Sequence, residues 1–283
     1  MDFLNSIPEE YLSAISLLIV YVVVFVVSKL VFDLTTPYNL NHQLTEEDNV
    51  AVAVVLAGYF LGITIIFLGA VDGPGTGVVN DVIAVGGYAL GGMVALNLAR
   101  IINDKLVLYK FSTNKEIIED KNPGTGVVQA ASYISAGLVI AGAIHGEGGG
   151  VLSAVVFYFI GQVILIIFAW IYEKLTPYSF HDEIEKDNLA AGLSLSGGLI
   201  AIGIIIMKAI SGDFESWSDH LSTLGWDVAL ILVYIFFVRF FFDKFIIPKS
   251  DLSKEIAEDR NVGAGLLEML ISISFAAVLY FLL

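Results

Sequence analysis

One carboxylate stands where lipid would make it costly. Glu268 lies seven residues, about two helical turns, past Asn261 inside the last apolar run of the chain. An ionisable side chain at that depth either serves an ion or proton pathway or pairs within the protein. A shift of 139 residues carries Gln129 onto Glu268 and Ser135 onto Ser274. Ser132 follows Gln129 by one turn, and Ser272 follows Glu268 likewise, so the fourth and eighth apolar runs each carry a polar stripe. The matching positions of the second and sixth runs are Leu56 and Leu195. Two chemistries fit. The stripes face each other across a hydrated path, with Glu268 as a proton or cation site and Gln129 as its uncharged partner, or they are hydrogen-bonding glue in a dry bundle.

A second polar set recurs at the ends of apolar runs: Asp48 and Asn49, Asp120 and Asn122, Asp187 and Asn188, Asp259 and Asn261. Asp and Asn before a helix accept hydrogen bonds from the free amides of its first turn, and acidic neighbours complement the helix dipole. Four helix N-termini on one face would also suit an anion. The surrounding Glu46, Glu47, Glu119, Glu185 and Glu258 oppose that alternative. His145 with Glu147, and His220 with Asp219, offer weak metal pairs that match no established ligand spacing. No Walker loop, nucleophile elbow or dinucleotide fingerprint occurs, so the sequence gives no reason to expect a cofactor or an enzyme.

The elements that position these residues follow from composition. With 57% hydrophobic and 15% charged residues, a chain of 283 residues has too little polar surface to close a soluble globule. Eight apolar runs, at residues 11–32, 49–71, 82–102, 124–144, 151–172, 189–210, 226–242 and 262–283, approach the length of a membrane-crossing helix. The acidic start of the chain lacks a basic segment, so the first run reads as a retained span. Of 14 Lys and Arg, all but Lys208 fall on the side of the acidic-Asn connections. The positive-inside rule places that side in the cytoplasm and both termini outside. A net charge of -15 argues against nucleic acid, and zero cysteines remove disulfides.

The acidic-Asn segments repeat at intervals of 73, 66 and 73 residues, and KEIIEDKNPGTG from Lys115 matches KEIAEDRNVGAG from Lys254 at 8 of 12 positions. Such periodicity marks a tandem duplication. The expected architecture is an all-α membrane protein of two four-helix units, residues 1–145 and 146–283, each with two similar halves. An even number of spans per unit makes these parallel repeats about an axis along the membrane normal. Single-unit relatives would then assemble as true dimers, and a homo-oligomer of the double unit stays open. Charge pairs one turn apart, Lys29 with Asp33, Arg100 with Asp104 and Arg239 with Asp243, suggest anchoring at the headgroups. Gly58 with Gly62, Gly87 with Gly91, and Gly198 near Gly203 suggest close helix packing.

The repeated four-span unit, the stretch TPYNLNHQLTEEDNVAVAVVLAGYFLG from Thr36, and KEIIEDKNPGTG with its downstream copy resemble the YjfL-like family of bacterial inner-membrane proteins. The resemblance covers nearly the whole chain and implies a double-unit member in the inner membrane, with no reaction or substrate attached. Genes of the family often neighbour those of membrane-stress proteins, which implies an accessory role at the envelope with cytosolic or membrane-stress partners.

Overall fold

The structure, a computed structural model, describes residues 8–72, 75–146 and 148–283. Among them eight long helices are apolar enough to cross a membrane: α1 (Glu9–Thr35), α3 (Val50–Val71), α4 (Val78–Leu106), α6 (Pro123–Ile144), α7 (Gly150–Leu175), α9 (Leu189–Ile210), α10 (Trp217–Phe241) and α12 (Val262–Leu282). Four helices of six residues stand in the connections: α2 (Leu40–Thr45), α5 (Thr113–Ile118), α8 (Phe180–Glu185) and α11 (Leu252–Ala257). The sequence reading missed all four, because one and a half turns are too short to show a helical period. The seventh span also begins earlier than expected, at Trp217, since the Ser216 side chain caps it by accepting from the Asp219 amide at 3.2 Å.

α3, α6, α9 and α12 stand side by side in one row, and α1, α4, α7 and α10 pack on the outside of it. Each row helix begins at one of the repeated asparagines, and four residues later α6, α9 and α12 carry Gly126, Gly192 and Gly265. These glycines lie against the backbone of Ala51, Gly124 and Ala190 on the preceding helix, where an added Cβ would sit 3.0, 2.7 and 2.5 Å from a carbonyl oxygen. Gly58 likewise meets Ala130, and Gly62 the Tyr133 backbone, as expected for small residues in a membrane bundle.

The row ends where this pattern stops. α3 has Ala53 where the other three have glycine, and α12 has the half-exposed Leu270 where α3, α6 and α9 have Gly58, Ala131 and Gly197. Both are exposed, and the Leu270 side chain leaves no room for a further close-packed helix. Gly87 and Gly91 depart from expectation too: an added Cβ at either meets nothing within 4 Å. They line an apolar crevice between α4 and α7 and join no tight contact.

The expected charge pairs form only in part. Lys29 and Asp33 approach to 3.6 Å. Arg100 turns to α1 and donates to the Thr35 carbonyl at 3.0 Å, and Arg239 donates to the Ser253 hydroxyl at 3.1 Å. Neither guanidinium forms an ion pair with the aspartate one turn on, because oxygens from another element take its donors, although the Arg100 charge still acts on Asp104.

Candidate functional site beneath the asparagine caps

All four asparagines cap their helices. The side-chain oxygens of Asn49, Asn122, Asn188 and Asn261 accept from the amides of Val52, Thr125, Ala191 and Ala264 at 3.1–3.2 Å. Asp48, Asp120, Asp187 and Asp259 cap nothing and are exposed, which corrects the expectation that both residue types share the role. The residue directly before each asparagine, Asp48, Lys121, Asp187 or Arg260, has φ of 47–60°. This left-handed turn swings the chain from the short helix into the long one, a geometry that non-glycine residues seldom adopt.

The asparagine amides do more than cap. Each donates to an acceptor on the short helix of its own half: Gln43, Glu116, Glu183 and Glu255, at 2.8–3.1 Å. Three also reach forward, Asn49 to the Ile117 carbonyl at 2.9 Å, Asn122 to Ile184 at 2.6 Å and Asn188 to Ile256 at 2.8 Å. Each half is thereby stitched to the short helix of the next. Asn261 makes no forward bond among the described residues and is exposed. Burial pushes the Glu116 carboxyl up; burial acts on Glu183 in the same sense, but bonds from Asn188 and Lys186 hold it below its usual range.

Two turns below Asn261, Glu268 is fully buried. Its carboxylate accepts from the Tyr172 hydroxyl at 3.0 Å and from the Ser194 hydroxyl at 2.5 Å. The guanidinium of Arg239 lies 5.7 Å from the centre of the Tyr172 ring, within cation–π range, and its charge acts on Glu268. Donors from α7 and α9 and a cation from α10 thus converge on one carboxylate from α12.

The first unit builds the same place differently. Phe32 stands for Tyr172 and Val55 for Ser194, so neither donor exists. Gln129 instead donates to the Asp104 carboxylate at 3.3 Å, and Arg100 occupies the place of Arg239. In the second unit the counterpart of Asp104 is Asp243, which is exposed and accepts from the Leu252 amide at 3.1 Å. Each unit sets one carboxylate against its arginine, from α4 in the first and from α12 in the second. A cavity of about 140 Å³ remains beside Gln129, Arg100 and Tyr38. Burial pushes the Tyr38 hydroxyl up to about 12.

The serines do not continue these sites into a path. α6 and α12 each pack along α9, which stands between them, so the two stripes do not face each other. Ser135 is buried against Gly203 of α9 and donates to the Ala131 carbonyl at 2.7 Å. Ser274 makes the same bond to Leu270 but is exposed, on the outer side of the row. Ser132 is buried, and Ser272 accepts the Tyr234 hydroxyl on its carbonyl oxygen.

A further polar cluster lies outside the sequence expectation. Glu173, at the end of α7, takes Lys110 at 3.3 Å, the buried His181 at 3.2 Å and the Ser179 hydroxyl at 2.8 Å. His181 Nε2 lies 2.7 Å from the Val107 carbonyl. The cluster fastens α8 to the end of α4. Glu147 lies outside the described residues; His145 stands 3.3 Å from Asp72 and His220 packs on Phe157. Among the described residues no three His, Asp or Glu side chains group as a metal site.

The two-unit geometry coincides with a family match. The model for the Domain of Unknown Function DUF350 matches twice, at residues 3–144 and 148–283. The chain belongs to the DUF350 family. A UPF0719 transmembrane protein of Aquifex aeolicus is 27% identical over 248 residues, covering 85% of this chain and 89% of its own. The UPF0719 transmembrane protein YshE of Bacillus subtilis is 25% identical over 122 residues, which are 43% of this chain and 86% of the relative. The UPF0719 inner membrane protein YjfL of Escherichia coli is 32% identical over 81 residues, 29% of this chain and 59% of the relative. No solved structure matches the chain. In this DUF350 member both units share one continuous row, whereas a relative the size of YshE has length for a single unit.

Proposed function

We propose that this DUF350 protein is a non-enzymatic structural or accessory subunit of the bacterial inner membrane, serving envelope or membrane-stress functions. The observation that carries the reading is the burial of Glu268. A carboxylate with no exposed surface, held by Tyr172, Ser194 and the field of Arg239, is a packing element; a proton or ion carrier must reach water. The repeated asparagine stitching likewise spends the polar groups on holding helices in register.

Both termini lie outside the cytoplasm in this reading, following the Lys and Arg distribution. The cap face then presents Glu119, Asp120, Glu258 and Asp259, all exposed, to cytosolic or membrane-stress partners. Two kinds of test apply. A cysteine at position 115 or 254 is expected to resist an impermeant external reagent in intact cells, and labelling from outside would reverse the orientation. Neutralising the four carboxylates together is expected to release co-purifying partners, whereas Glu268→Gln leaves them bound. A measured pH-dependent flux in proteoliposomes that Glu268→Gln abolishes, with every partner retained by the loop variant, would replace this reading with a transport one. The second reading, a channel or transporter for ions or small solutes along α6 and α12, draws support from the polar cavity beside Gln129.

A further inference from the structure

The first-unit cavity has a built polar wall. Tyr38, Arg100, Asp104, Lys105, Gln129 and Tyr133 border about 140 Å³ between α1, α4 and α6, and the exposed Lys105 marks its opening at the cap face. At roughly 30 Å³ per water, the space holds four or five water-sized groups. The Tyr133 hydroxyl, on a side chain only 2% exposed, lies near Arg100 but has no hydrogen-bond partner of good geometry among the described residues. A buried hydroxyl left unpaired is costly, so its position beside a cavity points to a polar occupant.

Charge narrows the class of that occupant. Arg100 and Lys105 face one carboxylate, Asp104, which already accepts the Gln129 amide. The wall therefore carries one more positive than negative charge. The second unit indicates what fits, because at the position of Gln129 it places Glu268, a carboxylate of the chain itself, within the field of Arg239. Tyr178 there corresponds to Tyr38.

We infer that the first-unit cavity binds a small monocarboxylate anion of about acetate size, held by Arg100 and the hydroxyls of Tyr38 and Tyr133, where the second unit uses its own glutamate. Guanidinium and carboxylate match as a charge-assisted pair, and Asp104 disfavours more highly charged anions such as phosphate.

Acetate is the probe. Calorimetric titration of the purified full chain in detergent, at fixed ionic strength with chloride as the control, is expected to show saturable binding. Tyr133→Phe, which removes only the hydroxyl, and Arg100→Gln should each weaken it about tenfold or more. Gln129→Glu, which adds at this position the carboxylate that the second unit carries as Glu268, supplies the negative charge from the chain itself and should not bind acetate. Absence of saturable binding to the unaltered chain overturns the inference, as does undiminished binding to Tyr133→Phe or to a folded Gln129→Glu variant. Tighter binding of phosphate than acetate overturns the assignment of ligand class.

Discussion

Alanine at Asn122 or Asn188 is expected to destabilise the chain by about 3 kcal/mol, and alanine at Asn261 by about 1 kcal/mol. Losing the cap alone costs roughly 0.5–2 kcal/mol. Asn122 and Asn188 are fully buried, and each also satisfies a carboxylate of its own short helix and a carbonyl of the next. Removing the amide leaves both acceptors without that donor in a place water reaches poorly, at about 1–3 kcal/mol for each group left unpaired. Asn261 is exposed and lacks the forward bond, so water replaces most of what alanine removes. Denaturant midpoints of the four single variants in one detergent provide the check. Equal losses at all four positions would mean that the forward bonds contribute nothing and that each half stands alone.

Glu268→Ala is the second large effect, expected at about 3–5 kcal/mol, with Glu268→Gln well below it. Alanine strips two donors of their acceptor and leaves Arg239 without the buried carboxylate opposite it. Glutamine keeps an acceptor oxygen of the same reach. Tyr172→Phe should fall between the wild type and alanine, because it removes one bond and preserves the ring under Arg239. Thermal unfolding of the purified chain measures the series. A silent Glu268→Ala would show that the carboxylate is not part of the packing.

Much of this arrangement was legible in the sequence, and the exceptions have physical causes. Eight spans, the duplication and the asparagine caps all follow from patterns carried by neighbours in sequence. The forward bonds of Asn49, Asn122 and Asn188 join residues 68, 62 and 68 positions apart, which no local pattern encodes. Arg100 and Arg239 were misread for the opposite reason. A helix always offers a partner one turn away, and only the tertiary fold brings Thr35 and Ser253 closer. Ser135 and Ser274 occupy equivalent repeat positions and make equivalent bonds, yet one is buried and the other faces outward, because a row of helices has an end. The short helices fell below the length at which periodicity speaks. The left-handed residues before the caps carried no glycine to announce them.

The chain has no cysteine, so single substitutions can report water access directly. Ser132→Cys, Ser135→Cys and Ser272→Cys each exchange one atom at a buried position on α6 or α12. The most direct test of the packed-interior account is their reaction with a small water-soluble thiol reagent in native membranes, scored against an exposed control at position 115. The account predicts rapid labelling of the control and none at the three buried positions until the protein is denatured. Labelling of Ser132→Cys and Ser272→Cys in the native membrane at a rate near the control would show a hydrated path through the helices and contradict it.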